Sequence, residues 1–388
     1  MPSRRAFLRT LACAAPLPIW DWGAQDLSAS APRAKYWVSG AAAGNACAAC
    51  HVPPPARGGA HVHDASAVLC QLCAQQCTIR AGESGRCRAR MNVGGELRSL
   101  VYGRPVAVHV DPIEKKPFYH FLPGSTAYSL GTVGCPLHCK FCQNWEISQA
   151  KPGDYDAGVT TPGAVVDAAA RRGTPVVAFT YNEPTVFVEY ALDIAAAARA
   201  RGLRSVLVSC GFMNERPLAD LCLALDAIKI DLKGFSDDFY RTVSGAALAP
   251  VLRSITQVRR AGRHLEIVNL VVPTLNDSEA SLRGLAEWVM GELGPDVPVH
   301  FTRFHPDYQL RNLPPTPVET LERARDIAMA RGIHYAYVGN VPGHPGNHTY
   351  CPRCRARVIA RQDFFVLESK LVNGRCAACG YAIAGVWS

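Results

Sequence analysis

The chain has 388 residues, 48% of them hydrophobic and 19% charged, a globular composition that suffices for one large domain with attached segments or for two ordinary domains. The sequence contains no run of about 18 uninterrupted apolar residues, so we expect no membrane span. The formal net charge of +9 is spread along the chain without a block of Lys and Arg, so a nucleic-acid-binding surface is not indicated.

Residues 1–34 are predicted to be an export signal followed by a tether. A pair of arginines near the start precedes a short apolar stretch, which resembles a twin-arginine signal. The residues concerned are Ser3, Arg4, Arg5, Phe7 and Leu8. Prolines interrupt the apolar stretch, so a frayed basic N-terminus is the alternative interpretation.

Residues 35–124 are predicted to form an N-terminal region rich in cysteine. In a chain of this size Cys-x-x-Cys sets usually bind metal as thiolates, whereas disulfide frameworks are typical of short secreted chains. The CAACH sequence at Cys47, Cys50 and His51 matches the covalent haem c attachment pattern. Because that match is only five residues long, a surface metal site or an idle loop is favoured over haem.

A set of four cysteines follows in the same region: Cys70, Cys73, Cys77 and Cys87. Either zinc or an auxiliary iron-sulfur cluster fits four thiolates. The small, polar loop that carries them slightly favours zinc.

From about residue 127, short apolar runs alternate with helix-like stretches, the pattern of buried parallel strands covered by helices. Seven such runs are present: AYSLGTV, PVVAFTY, SVLVSCG, DAIKIDL, LEIVNLVVP, VPVHFTRF and HYAYVGN. Each except the last is followed by a helix-like stretch, which favours a partial or complete (β/α) TIM-like barrel over a doubly wound sheet. The predicted fold class is therefore α/β, with the barrel over residues 125–345.

Polar or cysteine residues follow these apolar runs, where a barrel places its reactive groups. In chain order after the second to seventh runs they are Asn182 and Glu183, Cys210, Asp231 and Lys233, Asn276, Arg303 and His305, and Asn340. Any one of them can be a solvated loop residue. Their convergence on one rim predicts an active site there.

The sequence GCPLHCKFCQN places Cys135, Cys139 and Cys142 in a C-x3-C-x2-C pattern directly after the first predicted strand. Three thiolates cannot ligate all four irons of a 4Fe-4S cube, so one iron stays open to an outside ligand. S-adenosylmethionine (SAM) can chelate that iron through its amino and carboxylate groups, which places its sulfonium beside the cluster for one-electron reductive cleavage. The alternative is a zinc site with His138 as the fourth ligand.

Residues 346–388 contain two Cys-x2-Cys pairs, the layout of a zinc ribbon or a rubredoxin-like site. The four cysteines are Cys351, Cys354, Cys376 and Cys379. Because four thiolates close a metal site, a structural zinc that folds a small β module is favoured over redox-active iron.

Six segments together resemble the radical SAM enzymes of the AmmeMemoRadiSam system, which are relatives of the pyruvate formate-lyase activating enzymes. The segments are DPIEKKPFYHFLPGS, GTVGCPLHCKFCQNWEISQ, FTYNEPTVFVEY, IKIDLKGF, LVVPTLNDS and HFTRFHPDY. The resemblance runs from about Lys35 to Trp387 and includes both four-cysteine sets. It implies a radical SAM fold, a 4Fe-4S cluster on the cysteine triad and SAM as cofactor.

The resemblance also implies how SAM is bound. Tyr181, Asn182 and Glu183 occupy the position of the superfamily's GGE segment, which binds the SAM amino group. A carboxylate and an amide can accept hydrogen bonds from an ammonium group. Phe141 fits the aromatic position that this superfamily places near the adenine.

Two further segments are implied to lie near the methionyl and ribose groups of SAM. Asp231 and Lys233 match the family's D-x-K segment, and Asn276 with Asp277 matches its N-D turn. Cys210 departs from the pattern, because it stands where we expect the asparagine of V-x-N-G-F. A SAM contact from the third strand is therefore in doubt, and a buried core thiol is the alternative.

We expect an enzyme that cleaves SAM reductively and abstracts hydrogen from an unidentified substrate, with a protein as one candidate. One alternative is a zinc-binding interaction module, and another is a radical SAM enzyme that inserts sulfur or a methylthio group. The resemblance implies an electron donor of the flavodoxin or ferredoxin type and a functional link with AMMECR-type and Memo-type proteins. SAM chemistry is expected in the cytoplasm, with periplasmic export as the alternative if the N-terminal signal functions.

Overall fold

The computed structural model of the protein describes residues 24–40 and 66–388. The twin-arginine-like segment and the CAACH sequence lie outside the described residues. The export signal and the haem site therefore stay predictions.

The first described elements are short: α1 (Ala24–Ser30), β1 (Trp37–Ser39), β2 (Val68–Cys70), β3 (Thr78–Ile79), β4 (Arg90–Val93) and β5 (Glu96–Ser99). Strands β1, β2 and β3 form one antiparallel sheet, and β4 and β5 form a hairpin. Gly94 and Gly95 connect the hairpin with φ angles of 60° and 86°. A two-residue type I′ turn needs such left-handed values, which glycine adopts without strain.

Eight strands form the central sheet: β6 (Ala107–Pro112), β7 (Thr126–Gly131), β8 (Val176–Phe179), β9 (Arg204–Ser209), β10 (Ala227–Asp231), β11 (His264–Val271), β12 (Val299–Arg303) and β13 (Ala336–Gly339). Strands β7 to β13 are parallel and lie side by side in chain order, whereas β6 pairs antiparallel with β7. The prediction of an α/β fold with parallel strands is confirmed. Within the described chain the edge strands β6 and β13 do not pair with each other, so the sheet is open and a complete barrel is excluded.

Helices follow the parallel strands: α2 (Trp145–Ser148), α3 (Pro162–Arg171), α4 (Val188–Ala200), α5 (Glu215–Ala224), α6 (Asp237–Phe239), α7 (Leu248–Arg260), α8 (Glu279–Leu293) and α9 (Val318–Ala330). Short 3-10 turns span Ile113–Lys115, Pro184–Phe187 and Pro345–Asn347, and Tyr240–Ser244 is π-helical. Thr161 caps α3, because its hydroxyl accepts a hydrogen bond from the Ala164 amide at 3.2 Å. None of the helices in the described ranges is both long and apolar enough to cross a membrane.

The C-terminal module consists of small antiparallel strands: β14 (Thr349–Tyr350), β15 (Arg357–Gln362), β16 (Phe365–Ser369), β17 (Leu371–Val372) and β18 (Arg375–Cys376). Its buried side chains Val358 and Ile359 form one apolar cluster with Tyr335 beside β13 and Tyr337 within it. The module therefore packs on one edge of the open sheet.

The segment that follows β6, at the opposite edge of the sheet, also contacts the C-terminal module. The buried Arg361 guanidinium lies 3.6 Å from the Glu114 carboxylate and donates to the Tyr119 carbonyl at 2.7 Å. Near the end of the chain, the Val386 amide donates to the His120 carbonyl at 2.7 Å. Both edges of the open sheet are thus joined through the segment 113–124 and the C-terminal module.

Candidate functional site

The cysteine triad lies on the loop between β7 and α2, at the carboxyl end of the central sheet. The loop is held by backbone hydrogen bonds from His138 to Ser244 at 2.9 Å and from Lys140 to Val243 at 3.0 Å. The Leu137 amide donates to the Cys135 sulfur at 3.4 Å. The triad loop is therefore fixed by main-chain contacts, and one sulfur already receives a backbone donor.

All three triad cysteines line a cavity of about 520 Å³. Its other walls come from the carboxyl ends of successive strands, with lining residues that include Thr180, Tyr181, Asn182, Glu183, Val208, Cys210, Asp231, Lys233, Leu270, Thr302 and Asn340. The structure thus brings together most of the polar residues that the sequence places after the strands. Asn276, Arg303 and His305 are not among the lining residues.

A carboxylate between two lysines forms one wall of the cavity. Asp231 forms an ion pair with Lys229, and Lys233 Nζ lies 3.5 Å from Asp231 Oδ2. Burial disfavours the charge on Lys233, but Asp231 and the nearby thiols outweigh burial and raise the pKa of Lys233 well above its usual value. Burial likewise opposes the Asp231 charge, yet the two lysines lower the pKa of this carboxyl. The wall therefore stays ionised at neutral pH.

Phe141 lies beside this charged wall. Its buried ring stacks on Phe239 with 6.2 Å between ring centroids, and Lys233 Nζ lies 5.7 Å above its face. Phe141, the aromatic residue of the triad motif, thus provides a flat apolar surface next to the Lys233 ammonium group.

Glu183 is fixed by four hydrogen bonds at the end of β8. Its carboxylate accepts from the Thr185 amide at 3.1 Å and hydroxyl at 2.6 Å, from the Ser209 hydroxyl at 2.7 Å and from the Cys210 amide at 2.7 Å. Such a network holds a buried carboxylate in one orientation. The orientation of the Glu183 carboxyl group at the cavity is therefore fixed by its neighbours.

Asn182 joins β8 to the triad loop. Its side-chain amide donates to the Gly134 carbonyl at 2.8 Å, and its Oδ1 accepts from the Thr132 amide at 3.1 Å. The neighbouring Tyr181 has a φ angle of 72°, an uncommon value for a tyrosine. Asn182 thus has a positioning role toward the triad in addition to its place in the cavity wall.

Asn276 lies outside the cavity because its side chain is committed to backbone groups. Its Nδ2 donates to the Lys233 carbonyl at 2.7 Å and the Leu270 carbonyl at 2.8 Å, and its Oδ1 accepts from the Val272 amide at 2.6 Å. Both N–H donors of the side-chain amide are used in these contacts, and its oxygen also accepts from the backbone. Asn276 therefore holds the Lys233 backbone in place.

Cys210, the departure from the family pattern, lines the same cavity as the triad. It is 6% exposed. Burial, followed by the Glu183 carboxylate and the Cys135 thiol, raises the pKa of Cys210 well above its usual value. The structure thus places a buried neutral thiol where the family pattern has an amide.

A second ion cluster at the cavity was missed by sequence reasoning. The buried Lys116 Nζ lies 2.6 Å from Asp111 Oδ2 and 4.4 Å from the centre of the Tyr181 ring, and the Tyr181 hydroxyl donates to the same carboxylate oxygen at 2.8 Å. Lys115 Nζ also contacts Asp111, at 2.9 Å. Asp111, Lys115 and Lys116 belong to the DPIEKKPF segment, whose lysines show no periodic or motif signal of their own.

The four C-terminal cysteines form a compact group. Their sulfurs all lie within 4.8 Å of one another, with 3.6 Å between Cys351 and Cys379 and 3.7 Å between Cys354 and Cys376. Across residues 24–40 and 66–388, no other set of three or more Cys, His, Asp or Glu ligand atoms is as compact. The triad with His138 therefore does not have the geometry of a zinc site.

Comparisons with known proteins agree with this arrangement. The radical SAM superfamily model matches residues 129–286. The chain is 42% identical over 325 residues to the uncharacterized protein MJ0808 of Methanocaldococcus jannaschii, covering 82% of this chain and 96% of that protein. It is 22% identical over 193 residues to the pyruvate formate-lyase-activating enzyme of Clostridium pasteurianum, covering 46% of this chain and 80% of that enzyme. It is 23% identical over 176 residues to the benzylsuccinate synthase activating enzyme of Thauera aromatica, covering 42% and 53% respectively.

Proposed function

This chain belongs to the radical SAM superfamily, and we propose that it binds a 4Fe-4S cluster at Cys135, Cys139 and Cys142 and uses it to cleave SAM reductively. The observation that carries the proposal is the single cavity onto which three cysteine sulfurs and a charged, ordered wall converge. When bound, the cluster would supply one electron to the SAM sulfonium, whose cleavage would release methionine and a 5′-deoxyadenosyl radical able to take a hydrogen atom from the substrate.

The protein groups at the cavity suit the three parts of SAM. We assign the amino group to the strand end that carries Tyr181, Asn182 and Glu183, because the fixed Glu183 carboxylate can accept from an ammonium group. The cationic ammonium group of Lys233 can donate hydrogen bonds to the methionyl carboxylate. Asp231 can accept from the ribose hydroxyls.

Two further residues, Phe141 and Asn276, are assigned to the adenine and to the positioning of Lys233. The Phe141 ring offers an apolar face for the adenine, next to the cationic Lys233. Asn276 acts indirectly, since its hydrogen bond to the Lys233 carbonyl keeps that lysine at the cavity wall. Both roles follow the family resemblance and fit the contacts of these side chains.

The names of several relatives suggest the substrate class. Pyruvate formate-lyase and benzylsuccinate synthase are themselves enzymes, and the relatives are named as their activating enzymes. We infer that the substrate is a protein from which a hydrogen atom is removed. An external one-electron reductant, of the flavodoxin or ferredoxin type, is then required for each turnover.

The C-terminal module is proposed to hold a structural zinc. Four thiolates around one zinc, with Zn–S bonds of about 2.3 Å, lie about 3.8 Å apart in a tetrahedron. The separations of 3.6 Å and 3.7 Å between paired sulfurs match that geometry. This closed site would stabilise a module whose strands are only two to six residues long.

The test of the main proposal is the substitution Cys139→Ala in the full chain after anaerobic reconstitution. We expect 5′-deoxyadenosine formation with dithionite and SAM to fall at least about 100-fold, because the cluster loses one of its three protein ligands. The matched control is Cys222→Ala, since Cys222 is also buried but lies on α5, outside the cavity. SAM cleavage that survives in the Cys139 variant would contradict the proposal.

A further inference from the structure

We propose that Cys70, Cys73, Cys77 and Cys87 bind a second 4Fe-4S cluster, closed by four thiolates, rather than zinc. This inference concerns a site separate from the SAM cavity and does not depend on the proposed SAM chemistry. It revises the preference for zinc that the small polar loop gives in the sequence.

The four side chains converge on one small cavity. All four cysteines line it, together with apolar side chains of Leu72, Ile79, Pro136 and Val186. The cysteines are free thiols. The polar residues Gln75, Arg90 and Thr185 also line the cavity. Four cysteines that enclose a common space form a complete ligand set for an inorganic group.

The N-terminal cysteines do not form a compact sulfur group of the kind that the same chain shows at its C-terminal module. There, all four sulfurs lie within 4.8 Å of one another, whereas among the described residues no three of the N-terminal four meet that limit. One zinc draws its thiolates to about 3.8 Å apart. A cube spreads them, because each thiolate binds a different iron at a different corner.

Backbone features of the loop suit it to metal-bound thiolates. Gly85 contacts Cys77, since a Cβ on Gly85 would lie 3.7 Å from the Cys77 sulfur and 3.1 Å from the Ile79 side chain. The next residue, Arg86, directs its amide at the Cys77 sulfur at 3.5 Å. Hydrogen bonds from backbone amides to cluster sulfurs are a known means of stabilising clusters and tuning their potential.

Arg90 supplies a positive charge and a donor at the same cavity. It is 1% exposed, lines the cavity and pairs with Glu189 at 2.5 Å. Its Nε is buried without a hydrogen-bond partner in the described part of the chain. An unpaired buried donor is costly, and the sulfur-rich anion of a four-thiolate cluster would satisfy it.

The two cysteine sites are immediate neighbours. Pro136, which follows the first triad cysteine, lines the N-terminal cavity. A Cβ on Gly134 would lie 2.3 Å from the Cys87 carbonyl oxygen, so the two loops touch at main-chain distance. Gln75 joins them further, because its amide donates to the Pro136 carbonyl at 2.9 Å. A cluster with no open iron at this place is suited to electron transfer and not to binding SAM.

Metal analysis of two full-length proteins after anaerobic reconstitution tests the inference. Wild type is expected to hold about eight irons and about one zinc per chain, and the triple variant Cys135→Ala/Cys139→Ala/Cys142→Ala about four irons with the Mössbauer spectrum of a 4Fe-4S cluster. A triple variant without a 4Fe-4S spectrum, or wild type with two zincs, would overturn the inference.

The complementary variant is Cys73→Ala/Cys87→Ala, again with Cys222→Ala as the control. We expect it to lose about four irons and to keep an electron paramagnetic resonance signal that changes when SAM is added. If this variant fails to fold, the triple variant decides the question alone. Failure of the proposed function gives a different result. If the triad binds no cluster, wild type and the triple variant should both hold about four irons, and neither protein should show a spectral change when SAM is added.

Discussion

At the scale of single residues, the site depends on charges that neighbours hold in place. Asp231 contacts two lysines, Glu183 accepts four hydrogen bonds, and Asn276 fixes the backbone of Lys233. Each of these side chains is buried or half-buried, so a lost partner leaves an unpaired polar group in a dry site. Substitutions at this wall should therefore affect cofactor binding strongly.

Lys233→Met should weaken SAM binding while leaving the iron content unchanged. A hydrogen bond between charged groups contributes about 1.5–3 kcal/mol, so the Kd for SAM should rise about 10- to 100-fold. The Kd can be measured by calorimetry on reconstituted protein, with the exposed Lys151→Met variant as the control. An unchanged Kd would remove Lys233 from the binding site.

The role of a residue could be predicted from the sequence only where that residue belongs to a recognisable motif. The triad and the Asp231–Lys233 pair follow directly from short segments, and the structure brings them into one cavity. The role of Lys116 could not be predicted, because its partner Tyr181 is distant in sequence and approaches it only in the folded chain. The position of Asn276 outside the cavity also depends on its tertiary partners, which the sequence does not reveal.

At the scale of elements, the parallel strands were predictable and the edge strand was not. Strand β8 is buried at every position, so it reads as a continuous apolar run. Strand β6 exposes Val108, His109 and Val110 and pairs on one side only, so its residues show neither a buried run nor a regular alternation. The N-terminal strands are two to four residues long, too short for any periodic signal.

The segment after β6 gives the fold a predicted sensitivity to acid. His120 is buried between Tyr337 and the Ala384 carbonyl, and burial lowers its pKa to about 3 against the opposing effect of Glu266. The unfolded chain, with a histidine pKa of about 6.5, then binds one more proton than the folded chain between these values. This histidine therefore costs stability as the pH falls below about 6.5.

Thermal unfolding of wild type and His120→Asn between pH 8 and pH 5 checks this. His120 should lower the free energy of unfolding of wild type by up to about 1.4 kcal/mol for each pH unit below about 6.5. The variant should lack this part of the pH dependence. Wild type should therefore lose more of its melting temperature than the variant does. Parallel pH curves for the two proteins would show that His120 does not titrate on unfolding.

At the scale of the whole molecule, the C-terminal module closes an open sheet. The module contacts β13 through Tyr335 and Tyr337, and Arg361 joins it to Glu114 after the opposite edge strand. The complete barrel that sequence patterns allowed is thus replaced by an open sheet with a separate closing module. Strand periodicity cannot distinguish these two arrangements, since both contain the same parallel strands.

Loss of the metal that we propose at the C-terminal cysteines should loosen this closure. Cys354→Ser/Cys379→Ser should remove about one zinc per chain and lower the melting temperature by at least about 5 °C, while the iron content stays unchanged. The exposed Arg353→Ala, in the same loop, is the matched control. A variant with unchanged zinc and melting temperature would exclude a structural metal at these cysteines.

The position of Phe364 has a consequence for synthesis of the protein. This residue lies in the turn between β15 and β16, yet it lines the same cavity as the cysteine triad. A ribosome produces the triad long before it reaches the module that carries Phe364. The cavity proposed for radical chemistry is therefore completed only late in translation. A nascent chain that already contains the cysteine triad still lacks the wall that Phe364 supplies.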